Sequence, residues 1–160
     1  MDAFCFAAII QELQAILPGA KISRLQQLDR WSLLLVFHRG RGPGGLLLSI
    51  EPGVPRVELL SPPRKPSVSS SRFGDFVASK TKEALIEAVE QVGLDRITAI
   101  QMSGGSLPEA AMTLYVDMRG PASNFVLVDR VTGTVIDRLR SASGRTRPSS
   151  RRAAGFRSRR

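Results

Sequence analysis

The chain has 160 residues, of which 42% are hydrophobic, which is enough to bury one core and form one domain. Its apolar runs are shorter than the roughly 18 residues of a membrane-spanning helix. The start, Met1-Asp2-Ala3, carries an acid where a secretory signal carries basic residues, so we expect a cytoplasmic protein. The single cysteine, Cys5, excludes an internal disulfide and suits a reducing compartment.

Positive charge is concentrated at one end of the chain. The formal net charge is +9, but residues 141–160 contain seven arginines and no acidic residue. Residues 1–140 therefore hold 16 basic and 14 acidic side chains, a net charge of only +2. We expect a globular domain over 1–140 and a disordered basic tail over 141–160, which has too few apolar residues to offset its ordering entropy. Such a tail can bind phosphate without any fold.

The first 60 residues predict one helix and a meander of strands. Apolar residues recur at helical spacing over 2–17, Asp2 is a candidate N-terminal cap, and Pro18-Gly19 ends the helix. Strands are predicted over 21–28, 31–38, 46–50 and 54–60, with connections too short for parallel crossovers. The stretch 40–45 predicts a hairpin loop, because it lacks the Lys-Ser/Thr of a phosphate-binding loop and no helix follows it.

The second half predicts one more helix and a second set of strands. Residues 61–71 are rich in Pro and Ser and predict an extended surface loop. A helix begins at residue 72, but 85–89 fits either its continuation or a half-buried strand. Further strands are predicted over 96–102, 111–118, 124–129 and 134–139. The predicted fold class is α+β, with two antiparallel β layers, an N-terminal helix and a second covering helix.

Residues that would indicate an enzyme are scarce. The only histidine, His38, ends an apolar strand, and no cluster of His and Cys has the spacing of a metal site. Cys5 and His38 have no sequence context that brings a nucleophile to a base. We therefore predict a binding protein with no catalytic residue, no metal site and no cofactor.

The most pointed polar feature is an Asp-Arg pair at a corner between two apolar segments, within residues 91–97. Arg96 can fork onto a phosphate or a base edge, and Asp95 can accept a hydrogen bond from a base or orient the arginine. A salt bridge within the corner is the alternative, and on a surface it contributes little to stability. The residues alone leave these two interpretations open.

Several segments along the chain, including this corner, form a set with a characteristic order and spacing. They are Met1-Asp2-Ala3-Phe4, Pro18-Gly19-Ala20-Lys21-Ile22, Leu46-Leu47-Leu48-Ser49, Pro62-Pro63, Gln91-Val92-Gly93-Leu94-Asp95-Arg96-Ile97, Ser123-Asn124-Phe125-Val126-Leu127-Val128-Asp129 and Gly133-Thr134-Val135-Ile136-Asp137. Together they resemble, over about residues 1–140, the N-terminal domain of the NFACT proteins. This family includes a bacterial ribosome-quality-control factor and proteins called fibronectin-binding protein A.

The resemblance implies a role in ribosome-associated quality control. Family members bind the large ribosomal subunit after a stalled ribosome splits and hold a tRNA there, so the implied partners are tRNA and large-subunit rRNA, with no membrane partner. An Asp-Arg pair is needed for the tRNA-dependent step in the family, and it falls on Asp95 and Arg96. Lys80 and Lys82 keep part of the charge of a basic helix of the family. The RNA-binding residues that we expect are Asp95, Arg96, Lys80, Lys82, Arg119 and Asn124.

Two alternative functions follow from the same resemblance. The family domain is similar to the N-terminal β-sandwich of formamidopyrimidine-type DNA glycosylases, but Asp2 and Ala3 stand here in place of their catalytic Pro-Glu, so only a non-catalytic DNA-binding relative is expected. The family's other name suggests a fibronectin- or matrix-binding protein. Full-length members continue into a helix-hairpin-helix module and a coiled coil, so the change near Ser141 predicts either a truncated or frameshifted end or a basic arm.

Overall fold

The computed structural model describes residues 3–40, 42–60, 71–105 and 110–141. These residues form two α-helices, one short 3-10 helix at Gly120–Ala122, and nine strands. The helices are α1 (Ala3–Ile16) and α2 (Arg72–Thr81). The strands are β1 (Lys21–Asp29), β2 (Ser32–His38), β3 (Pro43–Ser49), β4 (Arg56–Leu60), β5 (Ala84–Gln91), β6 (Ile97–Gly104), β7 (Ala111–Asp117), β8 (Asn124–Asp129) and β9 (Val135–Arg138).

All nine strands belong to one antiparallel sheet with the order β4-β3-β2-β1-β5-β6-β7-β8-β9. The predicted meander is the half from β4 to β1, and the second predicted set is β6 to β9, which forms the other half together with β5. The halves join where β1 starts beside β5, at the pair Lys21↔Leu85. Backbone hydrogen bonds between Ala20 and Ile86 (2.8 Å) and between Ile22 and Glu83 (2.8 Å) extend this junction.

Both halves of the sheet and both helices contribute to one hydrophobic core. Helix α1 buries Phe6, Ile10 and Leu13, which lie three or four residues apart on one helix face. Helix α2 adds Phe73 and Val77. The predicted α+β class, with antiparallel strands and two covering helices, is confirmed, and the two predicted layers are the two halves of one continuous sheet. A smaller cluster lies on the other face of the second half and contains Val92, Ile97, Ala99, Tyr115, Val126 and Val128.

The stretch that fitted either a helix or a strand is a strand. Helix α2 ends at Thr81, and Glu83 then adopts a positive φ of 69°, which reverses the chain into β5. Along β5 the buried residues Ala84 and Ile86 alternate with exposed Leu85 and Glu87. Because of this alternation, one face of β5 contributes to the hydrophobic core. A helix continued over the same residues could not pair with β1 as a strand does.

The boundary predicted for the third strand was wrong, because Pro43, Gly44 and Gly45 belong to β3 and not to the preceding loop. Gly44 pairs with Phe37, and the Phe37 ring occupies the space beside it. A Cβ built on Gly44 would lie 2.7 Å from the ring Cζ, so only glycine fits there. The strand therefore starts inside a stretch whose composition is typical of a turn.

Several sequence predictions lie outside the described residues. These are the Asp2 cap, residues 61–70 of the Pro/Ser-rich connector, and residues 142–160 of the basic tail. Among the described helices, none combines the length and the apolar character needed to cross a membrane.

Candidate nucleic-acid interface

Three chain reversals meet at one end of the folded sheet, and together we call them the corner surface: residues 50–55 between β3 and β4, 92–96 between β5 and β6, and 118–123 between β7 and β8. The backbone N–H of Met118 donates to the carbonyl of Arg96 over 2.9 Å. All three reversals line one cavity of about 230 Å³. The lining residues are Glu51, Pro52, Gly53, Pro55, Arg96, Met118, Gly120 and Ser123.

The β5–β6 corner is a tight, internally bonded turn. Val92 N–H donates to Ile97 O over 2.9 Å, and Asp95 N–H donates to Val92 O over 3.1 Å. The Gln91 side chain adds a bond from its Nε2 to Asp95 O at 3.0 Å. Gly93 takes a positive φ of 58°, which a side chain would disfavour. These bonds fix the backbone that carries Asp95 and Arg96.

Arg96 is half-buried in the cavity wall opposite the β3–β4 turn. Within the described part of the chain its guanidinium makes no hydrogen bond and no ion pair, with Asp95 or with any other residue. Its donors are therefore not satisfied by the described residues. The volume is below the roughly 300–1,000 Å³ of pockets that enclose a whole small molecule, so it suits a protruding group such as a phosphate.

Asp95 acts on a different arginine. The hydrogen bond from Arg119 to Asp117 is the main cause that raises the pKa of Arg119, and the negative charges of Asp117 and, least of all, Asp95 raise it further. Asp117 is buried and receives Nε of Arg119 at 3.0 Å and Nη2 at 2.8 Å. The Asp117 carboxylate also accepts the Arg119 backbone N–H at 3.0 Å. Arg119 is thus held in a bidentate pair, and about a third of its side chain stays exposed.

Asn124 is engaged with the backbone at the edge of the corner surface. Its Nδ2 donates to Arg140 O at 2.9 Å, and its Oδ1 accepts the Arg140 N–H at 2.9 Å. The Oδ1 atom also accepts the N–H of Phe125 at 2.9 Å. The Asn124 amide therefore ties the segment after β9 to the start of β8.

Lys80 and Lys82 lie away from the other four candidate residues. They end α2 beside Gly105, whose backbone follows β6, whereas the corner surface lies at the opposite end of β5 and β6. The eight residues of β5 separate the two ends by roughly 25 Å, at about 3.3 Å per residue. Lys80 covers the Phe76 ring, with its Nζ 5.4 Å from the centroid, and Lys82 is exposed. The six predicted residues thus form two separate groups.

Sequence reasoning missed Glu51 and Arg140. Glu51 lines the cavity with Arg96, and the Arg140 Nη1 donates to Ser123 O at 2.7 Å. Their partners are 17 or more residues away in the chain, so no local pattern points to them. Among the described residues, no group of three or more His, Cys, Asp or Glu side chains is placed to hold a metal ion. The corner surface therefore combines two arginines, Arg96 and the partly exposed Arg119, with the side chain of Glu51.

Comparison with known proteins gives a consistent family. The family described as NFACT N-terminal and middle domains matches residues 2–152. A protein described as Rqc2 homolog RqcH from Streptococcus pneumoniae is 28% identical over 138 residues, which is 85% of this chain and 25% of that protein. Its Bacillus subtilis counterpart is 29% identical over 146 residues, 89% of this chain and 25% of that protein. The chain spans about a quarter of the length of these relatives.

Solved structures agree with the fold. The N-terminal domain of the fibronectin-binding protein PavA from Streptococcus pneumoniae superposes with a TM-score of 0.81 at 27% identity, covering 93% of this chain and 59% of that one. The N-terminal part of the fibronectin/fibrinogen-binding protein from Streptococcus suis gives a TM-score of 0.83 at 26% identity, covering 94% and 59%. The chain therefore belongs to the family with NFACT N-terminal and middle domains.

Proposed function

We propose that this chain is a non-catalytic RNA-binding module of ribosome-associated quality control that contacts tRNA and large-subunit rRNA in the cytoplasm. The corner surface supplies the main contacts, through Arg96 and Arg119 with Asp95 beside them. Asn124 shapes the edge of this surface, and Lys80 and Lys82 form a second contact at the other end of β5. The family membership and the descriptions of the RqcH relatives support this role.

The proposal rests on the absence of a described partner for the Arg96 guanidinium. Arg96 is a half-buried residue whose guanidinium makes no hydrogen bond and no ion pair to a described residue, so its donors are left for water or for an incoming acceptor. A phosphate or base acceptor of a bound RNA satisfies these donors with charge-assisted bonds. Arg119, fixed by Asp117 and partly exposed, provides a second cation close by.

Binding of a matrix protein is the second candidate function. The solved relatives from Streptococcus pneumoniae and Streptococcus suis are described as binding fibronectin or fibrinogen. The corner surface is equally accessible to an acidic protein segment, so the partner must be decided by direct competition.

The experiment measures fluorescence anisotropy of labelled tRNA with the full chain, as wild type, Arg96→Ala and Arg24→Ala. Arg24 is the matched control because it is an exposed arginine of β1 outside the corner surface, bonded only to Gln26 among the described residues. Both variants lose one positive charge, so any difference between them reports the position of the charge. We expect Arg96→Ala to weaken tRNA binding about tenfold and Arg24→Ala to leave it nearly unchanged.

Unlabelled duplex DNA and fibronectin serve as competitors. The proposal expects tRNA to be displaced by excess unlabelled tRNA at much lower concentrations than by duplex DNA, and fibronectin to have no effect. Equal affinities of the two variants for tRNA, or displacement of tRNA by fibronectin alone, would contradict it. Equal competition by duplex DNA would favour the glycosylase-like DNA-binding alternative.

A further inference from the structure

Two guanidinium groups lie over the single tryptophan of the chain. Arg30 places its Cζ 5.2 Å from the centroid of the Trp31 ring, and Arg140 places its Cζ 5.3 Å from the same centroid. Both distances are within the roughly 6 Å of a cation–π contact. We call Arg30, Trp31 and Arg140 the tryptophan cluster.

The backbone and one arginine of this cluster are fixed in place. Trp31 N–H donates to Asp29 Oδ1 at 2.8 Å, Trp31 O accepts the N–H of Ile50 at 2.9 Å, and the half-buried ring packs against the core. Arg140 is held through Nη1 by Ser123 O at 2.7 Å, in addition to the backbone bonds with Asn124. Planar groups that are fixed in advance bind a ligand with a smaller loss of conformational entropy.

Arg30 differs from Arg140. It is exposed, and among the described residues its guanidinium makes no hydrogen bond and no ion pair. The carboxylate of the neighbouring Asp29 is bonded to the Trp31 N–H instead. Arg30 therefore presents a planar cation, supported from below by an indole ring, with its donors open to solvent.

We propose that the tryptophan cluster is a stacking site for one unpaired base of the bound RNA, an inference that rests on the proposed RNA-binding function. Bases that are splayed out of a helix stack on aromatic rings and on guanidinium planes, whereas bases within a duplex offer no free face. The donors of Arg30 bond to the adjacent phosphate. The cluster adjoins the corner surface because Ile50 and Ser123 hold Trp31 and Arg140, so one RNA strand can contact both.

The test uses the tryptophan as its own reporter, because all tryptophan emission of the chain comes from Trp31. The full chain is titrated with tRNA, with a short single-stranded RNA and with a blunt RNA duplex of the same sequence. Trp31 emission and the anisotropy of the labelled RNA are recorded in parallel. The variants are Arg30→Ala and the control Arg24→Ala, both exposed sites of equal charge.

We expect saturable quenching of Trp31 emission by tRNA and by single-stranded RNA, with little quenching by the duplex. Arg30→Ala should weaken binding of single-stranded RNA about fivefold, which is near the lower end of the loss of one stacked base. The part of this loss that comes from stacking should persist at high salt, whereas the part that comes from the phosphate contact and any effect of Arg24→Ala should shrink, because salt screens charges and not stacking.

Failure of this inference is distinguishable from failure of the proposed function. If tRNA binds by anisotropy but Trp31 emission does not change and Arg30→Ala matches Arg24→Ala, the stacking site is wrong and RNA binding stands. If tRNA does not bind, the proposed function is wrong. In that event quenching by single-stranded RNA still supports the stacking site, and its absence overturns the stacking site too.

Discussion

At the scale of single residues, the two side chains of the Asp-Arg dipeptide lie in different surroundings. Arg96 faces the cavity with Glu51 and carries no ion pair to a described residue, while Asp95 exerts its charge on Arg119. The sequence predicted the corner and its two charges, but it could not separate a salt bridge from a binding pair. The directions of the two side chains depend on β7 and on the β3–β4 turn, which lie about 20 and 40 residues away along the chain.

The buried pair of Asp117 and Arg119 should matter for stability. Asp117→Asn removes a charge that accepts two guanidinium bonds, and it leaves Arg119 partly buried without its counter-ion. We expect the free energy of unfolding in urea to fall by about 1–3 kcal/mol. Asp137→Asn is the matched control, because Asp137 forms a similar bidentate pair with an exposed arginine, Arg72, and should cost less than about 1 kcal/mol. Equal losses in the two variants would contradict this assignment.

The Glu87 carboxyl makes the stability of the fold depend on pH, and the sign of this dependence follows from the shift of its pKa. A hydrogen bond from Arg130, with a second from Ser103, lowers the pKa of the Glu87 carboxyl below its ordinary value of 4.5. A carboxyl whose pKa is lower in the folded state stabilises the fold above its ordinary pKa, and this contribution is lost as the pH falls through the lowered pKa.

Glu87→Gln tests this linkage. The Glu87 side chain is well exposed, so the loss of unfolding free energy at pH 7 should be below about 1 kcal/mol. The difference between wild type and variant should stay nearly constant well above the ordinary pKa of 4.5 and shrink as the pH falls through the lowered pKa of Glu87. Urea denaturation at several pH values measures it. A difference as large at pH 3 as at pH 7 would show that the carboxylate charge is not responsible.

At the scale of elements, the sequence predicted the types of most helices and strands and missed how they join. Helical spacing located α1, alternation of side chains located β6, and a short apolar run after a Gly-Pro break located β8, because these patterns are local. The sequence alone left open where α2 ends and where β5 starts. These boundaries are set by backbone hydrogen bonds from Glu83 to Ile22 of β1 and from Ile86 to Ala20, the residue before β1. The start of β3 was misplaced because Gly44 is needed for its close approach to the Phe37 ring and not for a turn.

Helix α2 offers a test of such a close approach. Gly74 lies in its first turn against buried Gln27, and a Cβ added there would lie 2.6 Å from Gln27 Oε1 and 2.9 Å from Gln27 Cβ. Ala normally favours a helix over Gly by about 1 kcal/mol. Here the clash should outweigh that preference, so Gly74→Ala should lower the unfolding free energy by about 1–3 kcal/mol.

The double variant Gln27→Ala/Gly74→Ala serves as the control for this prediction. Gln27→Ala removes the contact with Oε1 but keeps the contact with Cβ, so adding Gly74→Ala to Gln27→Ala should cost less than adding it to wild type. A Gly74→Ala variant as stable as wild type would contradict the close packing of α2 on β1.

At the scale of the whole molecule, the fold brings the corner surface and the tryptophan cluster together from distant parts of the chain. The class of fold and the family were accessible from segment order and spacing, because these survive in the sequence. The sequence did not predict that Lys80 and Lys82 lie away from the corner surface. Their position follows from the pairing of β5 with β6, because these lysines and the corner surface lie at opposite ends of the two strands. The candidate RNA-contacting residues are therefore spread over roughly the length of one strand and are not grouped at one place.

We propose that the folded corner surface, and not the arginine-rich segment 141–160, determines the binding of tRNA to this chain. The most direct measurement is the affinity of the full chain for tRNA over a range of salt concentrations, for wild type, Arg96→Ala, and a variant with the seven arginines of 141–160 changed to glutamine. We predict that Arg96→Ala weakens binding about tenfold at moderate salt and reduces the slope of the salt dependence by no more than about one phosphate contact. The glutamine variant should lose affinity mainly at low salt and show a shallower salt dependence. Loss of all tRNA binding in the glutamine variant, with Arg96→Ala indistinguishable from wild type, would contradict the claim.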